Sequence, residues 1–246
     1  MKFSVALITV DRSPKQNFLA ETVANLRRAG VFDSPLLDQF SVIDSGSESL
    51  QFVYDAFEDI DRGVYIVTGM RSPTMNAAAA FRRAAYVAKP GSWVLFLEDD
   101  IDVCASFLES TAAWLADQPY LLKHRVFPLG ANYPQQLKEA RRVGQTAWQY
   151  PIDGFYGTLA VAVDAADARE IATALERAQQ TSDRPDCYDL HMAAWAKRQG
   201  VRDLLTPVPS FVQHIGTESI IRPESVFHTY ETWPGRTWQY FSKVEV

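Results

Sequence analysis

The chain's 246 residues carry a formal net charge of -6 and a sequence pI near 5.3. A hydrophobic content of 47% and a charged content of 22% are those of a soluble globular protein, with length enough for one large α/β domain or two small ones. The acidic balance argues against a general nucleic-acid binder, and a solvated surface accounts for the two local basic clusters, Lys123-His-Arg125 and Lys138-Glu-Ala-Arg-Arg142.

The first apolar run, Phe3 to Val10, meets Asp11 and Arg12 before any small-residue cleavage site, so it reads as a strand rather than a signal peptide. Phe18 to Ala29 places Leu19, Val23 and Leu26 at helical spacing and stops at Gly30. Gln39 to Ile43 predicts a second strand ending in Asp44-Ser-Gly-Ser47, and Gly63 to Thr68 a third ending in Gly69-Met-Arg71. An Ala-rich helix over Thr74 to Ala88 closes at Pro90-Gly91. Trp93 to Leu97 then reads as a strand buried on both faces. A helix over Ala105 to Asp117 and a strand over Arg125 to Leu129 follow. Ala131 to Tyr150 breaks the rhythm and reads as an excursion over the active face, a lid or acceptor loop. Phe155 to Val163 is apolar again, Asp164 caps a helix to about Gln180, and Tyr188 to Gln199 forms another. Val201 to Thr206 and Phe211 to Ile215 predict short strands before an aromatic tail from Gly216 to Val246. Alternating strands and helices with short turns predict an α/β fold with a mostly parallel sheet covered on both faces. No stretch approaches the roughly 20 apolar residues that span a membrane. Cys104 and Cys187 belong to no CxxC pair, so neither a zinc site nor a disulfide framework is expected, and a reducing, cytoplasmic setting is the default.

The chemistry concentrates where the fourth strand ends. Glu98, Asp99, Asp100 and Asp102 would repel one another without a partner, and a divalent cation is the natural one. Asp102 is expected to cap the following helix. Parallel strands share a C-terminal edge, so Thr9 to Arg12, Asp44 to Ser47 and Arg71 should converge on these acids. A metal beside Arg71 suits a diphosphate, and Asp44 can accept from a base imide or a ribose hydroxyl, or simply hold a turn. His214 reads as a structural histidine or a ligand. Of Asp186 and Asp189, one is expected to cap the next helix, which leaves the other for chemistry. The chain contains no GxGxxG, GxxxxGK[ST], HExxH or GxSxG.

Ile8-Thr-Val-Asp-Arg12, Val42-Ile-Asp-Ser45, Asn76 in its Ala-rich helix, Leu95-Phe-Leu-Glu-Asp-Asp-Ile101, Phe155-Tyr-Gly157, Asp189-Leu190 and Pro209-Ser-Phe-Val-Gln-His-Ile-Gly216 follow in an order that resembles nucleotide-sugar glycosyltransferases of GT-A fold. The nearest likeness is to the inverting N-acetylglucosaminyltransferases that initiate or branch N-glycans, whose DxD motif takes the form Glu-Asp-Asp. The resemblance covers about residues 3 to 220. It implies a GT-A domain over 1–220, with a nucleotide-binding half (1–104) and an acceptor half (105–220), and the tail 221–246 packed on it. It implies Asp100 as metal ligand, with His214 as a further ligand or diphosphate contact. Glu98 and Asp99 would hold the ribose and support the metal shell. Asp44 would read uracil or ribose, Thr9 and Arg12 would line the nucleotide pocket, and Tyr156 and Gly157 would shape the sugar or acceptor pocket. Asp189 would be the catalytic base, with Asp186 as its competitor. A mixed oxygen and imidazole shell suits Mn²⁺ better than Mg²⁺. The implied donor is a UDP-sugar and the acceptor a hydroxyl on a glycan, a small molecule or a modified DNA base. A non-catalytic nucleotide-sugar binder and a metal-dependent phosphotransferase are the alternatives from other classes.

Overall fold

The computed structural model describes residues 1–13, 17–118, 124–130, 133–155, 159–215 and 236–237. Six strands form the central sheet: β1 (Phe3–Thr9), β2 (Leu37–Asp44), β3 (Val64–Thr68), β4 (Trp93–Glu98), β6 (Val126–Pro128) and β8 (Ala160–Asp164), in the order β3-β2-β1-β4-β8-β6. The pairs β1–β2, β2–β3 and β1–β4 are parallel, whereas β8 runs antiparallel between β4 and β6.

Strand periodicity divides the core. Val5 and Leu7 of β1, Leu95 and Leu97 of β4, and Ala160 and Ala162 of β8 face one apolar layer. Ala6, Val94, Phe96, Val161 and Val163 face the other. Helices α1 (Leu19–Arg28), α2 (Gln51–Phe57) and α4 (Phe107–Ala116) cover the first layer. Helices α3 (Pro73–Val87), α5 (Pro134–Arg142), α6 (Ala165–Thr181) and α7 (Tyr188–Arg198) cover the second. Burial on both faces explains why β4 reads as an unbroken apolar run. Both layers draw on residues before and after position 104, so the two expected halves share one sheet.

Two small ribbons complete the fold: β5 (Ile101–Val103) with β10 (Val212–His214), and β7 (Ala147–Pro151) with β9 (Asp203–Pro207), both antiparallel. Four expectations need correction here. Asp102 lies inside β5 rather than at a helix start, and the N-cap position of α4 is Ser106, whose side chain makes no capping bond. Helix α2 occupies a stretch the periodicity left unassigned. Strand β8 opposes its neighbours, which apolar content alone does not reveal. The segment from Tyr133 to Tyr150 is no loose excursion: Leu137, Ala140 and Tyr150 enter the core, Tyr133 packs against Trp148 and Tyr150, and β7 pairs along β9. Most of the expected tail lies outside the described residues, but Arg236 returns to the domain and pairs with Asp102. No helix among the described residues is long and apolar enough to cross a membrane.

Candidate active site

The sheet register delivers the predicted convergence. Ile8 pairs with Glu98, Thr9 with Asp44, and Asp44 with Thr68, so the ends of β1 to β4 lie side by side. The four carboxylates then take four different sets of partners.

Glu98 continues the Val94–Phe96 face of β4 and therefore points toward α7. Its carboxylate accepts from the Tyr188 hydroxyl, and the Tyr188 ring packs edge-on against Phe96 at 5.7 Å. Burial, followed by repulsion from Asp100, holds the Glu98 carboxyl well above the usual carboxylate range. Asp99 turns the other way. It accepts from the Thr9 hydroxyl at 2.6 Å and from Arg12 Nη2 at 2.6 Å. Burial pushes its pKa up to about 6, against the opposing pull of Arg12. Asp100 meets His214, with Nε2 to Oδ2 at 3.2 Å and Arg12 Nη2 at 3.8 Å from the same oxygen. Burial opposes its ionisation, but the His214 bond and the His214 and Arg12 charges outweigh it and lower its pKa. Asp102 accepts from Arg28 at 3.1 Å and from Arg236, away from the other three.

Two devices hold this divergence. The β5–β10 ribbon pairs His214 with Ile101, and the Asp100 carbonyl accepts from the Ile215 N–H at 2.9 Å. A histidine more than a hundred residues away is thereby set against Asp100. On the other side α1 presents two buried polar residues. The Thr22 hydroxyl donates to the Asp99 and Ile101 carbonyls and accepts from the Ile101 N–H, and Asn25 donates to the Ile101 carbonyl. Thr22, Asn25 and Tyr188 escaped the sequence reading. Polar residues at the buried positions of an amphipathic helix were the available signal for the first two; Tyr188 offered none.

The remaining predicted residues divide. Asp44 is fully buried, and its carboxylate accepts from the Gly46 and Ser47 N–H groups and the Ser47 hydroxyl. It builds the turn rather than facing a base. Asp99 and Thr9 are likewise spent on each other and on Arg12, so neither presents a group to a ribose. Arg71 lies in the adjoining loop but reaches Gly46 and Glu48, not the acids. That loop is tied by Asn76, which donates to the Met70 carbonyl and accepts from its N–H. Gly69 permits the approach, since a Cβ there would lie 2.0 Å from Asn76 Oδ1. Asp186 is exposed on the loop before α7. Asp189 sits in the first turn of α7, near enough to Glu98 for its charge to act on it. Neither acid caps α7, whose N-cap position is Cys187; Asp189 Oδ1 instead accepts from the Leu190 N–H at 2.8 Å. Tyr156 and Gly157 lie outside the described residues.

Among the described residues no three His, Cys, Asp or Glu side chains converge as a metal site. The pair Asp100 and His214 still fits a divalent ion that takes the rest of its shell from phosphate and water. Its donors are one oxygen and one imidazole nitrogen side by side, and Asp100 Oδ1 is buried with no hydrogen-bond partner among the described residues. Arg12 Nη1 is a second buried, unpartnered group beside it.

No protein-family model and no curated protein matches the sequence. Among solved structures, the chain is similar to S. aureus TarS 1-349 with 16% identity and a TM-score of 0.50, covering 84% of this chain and 58% of that one. For the longer S. aureus TarS structure the TM-score is 0.51 at 16% identity, over 84% of this chain and 35% of that chain. For the galactosyltransferase LgtC it is 0.46 at 12% identity, over 78% and 70%. The chain thus spans little more than half of the shorter TarS structure, and what it shares with TarS is the GT-A fold.

Proposed function

We propose that this protein transfers a sugar from a nucleoside diphosphate sugar, a UDP-sugar by preference, to an acceptor hydroxyl with inversion. The observation that carries the reading is the Asp100–His214 pair, held at 3.2 Å at the C-terminal edge of β4 in a GT-A fold. That edge is where α/β sheets take nucleotides.

In this reading Asp100 and His214 hold the divalent ion, Mn²⁺ or Mg²⁺, which when bound supplies positive charge to the departing diphosphate. Asp99 does not touch the donor. It fixes Arg12 through a buried ion pair and leaves Nη1 to donate to a phosphate oxygen. Asp189 takes the proton of the attacking hydroxyl. Its charge reaches Glu98 at the end of β4, the same edge that carries Asp100. Tyr188 binds Glu98 beside it and keeps that second carboxylate from competing for the proton. Preference for an N-acetylhexosaminyl over a hexosyl donor rests on the likeness of Glu98-Asp-Asp100 and Gln213-His-Ile-Gly216 to the N-glycan enzymes.

A screen of nucleotide-sugars for hydrolysis and transfer with Mn²⁺ tests the proposal. UDP and Mn²⁺ together should raise the melting temperature, and Asp100→Ala should abolish both that shift and turnover. Asp189→Ala should lose transfer by at least a hundredfold while keeping the UDP shift. A wild-type protein whose melting temperature ignores UDP with Mn²⁺ overturns the donor assignment. Full turnover by Asp189→Ala moves the base to Asp186.

A further inference from the structure

A second feature lies on the opposite side of α7. Asp189 faces the sheet edge, and Arg198, nine residues on, stands half a turn around the helix from it. There α6 and α7 enclose a groove of about 780 Å³. Its basic side chains are Arg169 and Arg177 of α6 and Arg198 of α7, and Glu170 is the one acid among its described lining residues. None of the three arginines forms an ion pair among the described residues, in a chain whose net charge is -6. Eight residues separate Arg169 from Arg177, about 12 Å along the helix at 1.5 Å per residue. Arg169 gives one nitrogen to the Ala85 carbonyl at 2.9 Å and keeps further N–H donors, so guanidinium groups spread along the groove in this way suit successive phosphates on one chain better than a single anion. Of the two aromatic rings in its lining, Trp195 is 3% exposed with the Arg125 guanidinium over it at 5.3 Å, and the half-buried His191 is tied to the Arg184 carbonyl at 3.0 Å, which leaves little surface for bases to stack on.

We infer that the α6–α7 groove binds an extended, base-free phosphate chain, at a site separate from the acidic edge and whether or not the chain transfers sugar. Calorimetric titration of the full chain tests this, with inorganic polyphosphate of about 20 phosphates, orthophosphate and a single-stranded oligonucleotide of equal phosphate number. Polyphosphate should bind at least thirtyfold more tightly than orthophosphate and tenfold more tightly than the oligonucleotide. Arg177→Ala and Arg198→Ala should each weaken it about tenfold and flatten its salt dependence, while Arg141→Ala, an exposed arginine on α5, should leave it unchanged. Both groove arginines are exposed, so circular dichroism should show the variants folded. Equal affinity for orthophosphate, an equal loss in Arg141→Ala, or no polyphosphate binding overturns the inference. Oligonucleotide binding as tight as polyphosphate binding overturns it in favour of a nucleic-acid groove.

Discussion

Asp99 shows how one residue's environment can redirect its role. A DxD-type acid is expected to face the ligand, yet Asp99 is buried and acts on Arg12 and Thr9. Its pKa has a consequence for stability. The folded value of about 6 lies above the ordinary value of 3.8, so this group favours the folded state most below 3.8 and loses that contribution as pH rises toward 6. Carboxyl-carbon NMR titration should place its midpoint near 6. In Arg12→Leu the midpoint should move higher, because Arg12 is the charge that holds it down. A midpoint that falls in Arg12→Leu would mean that Arg12 does not stabilise the carboxylate. Glu98 and Asp99 are adjacent in sequence, but their side chains point to opposite sides, so one serves α7 and the other β1 and the loop after it.

The elements that matter most to the site are those with the weakest sequence signals. Strands β5 and β10 have three residues each, but their register brings His214 to Asp100. Helix α1 was legible from Leu19, Val23 and Leu26, although its second function, holding the backbone after β4, was not. That function belongs to Thr22, whose hydroxyl meets three backbone groups at 2.7 to 3.1 Å. Thr22→Val keeps the shape and removes the hydrogen bonds, leaving the Asp99 carbonyl and the Ile101 N–H without this partner while Asn25 still meets the Ile101 carbonyl. It should cost about 1–3 kcal/mol in chemical denaturation. It should also weaken the UDP and Mn²⁺ melting shift, since the Asp99–Asp100 turn loses its tether. A variant with unchanged stability would show that water replaces the hydroxyl.

Across the whole molecule, the acidic stretch splits into a part for chemistry and a part for structure. Asp102 is buried between Arg28 and Arg236, which joins α1 and a residue near the C-terminus to β5. Asp102→Asn removes a charged acceptor from two arginines and should lower stability by about 1.5–3 kcal/mol while sparing the UDP and Mn²⁺ melting shift. Asp100→Ala should do the reverse, with little change in urea midpoint and loss of the shift. If the two variants behave alike, the acids act as one cluster and the division drawn above is wrong.

The main strands and helices of the central sheet, the double-sided burial of β4 and the shared edge of the first four strands were legible in the sequence, whereas α2, α5, β5 and β7 were not. The former follow from local periodicity and from the geometry of parallel strands, which need no knowledge of distant contacts. The candidate base and the candidate metal pair were likewise recognisable as residue types in an order. Partnership was decided only by tertiary structure. Four acids in five positions look like one site on paper, yet strand alternation, a short antiparallel ribbon and two polar residues on α1 send each to different partners. Hydrogen bonds and ion pairs join residues across distances that no local pattern encodes, and in this protein those bonds separate the carboxylate that can meet a metal from the three that hold the fold around it.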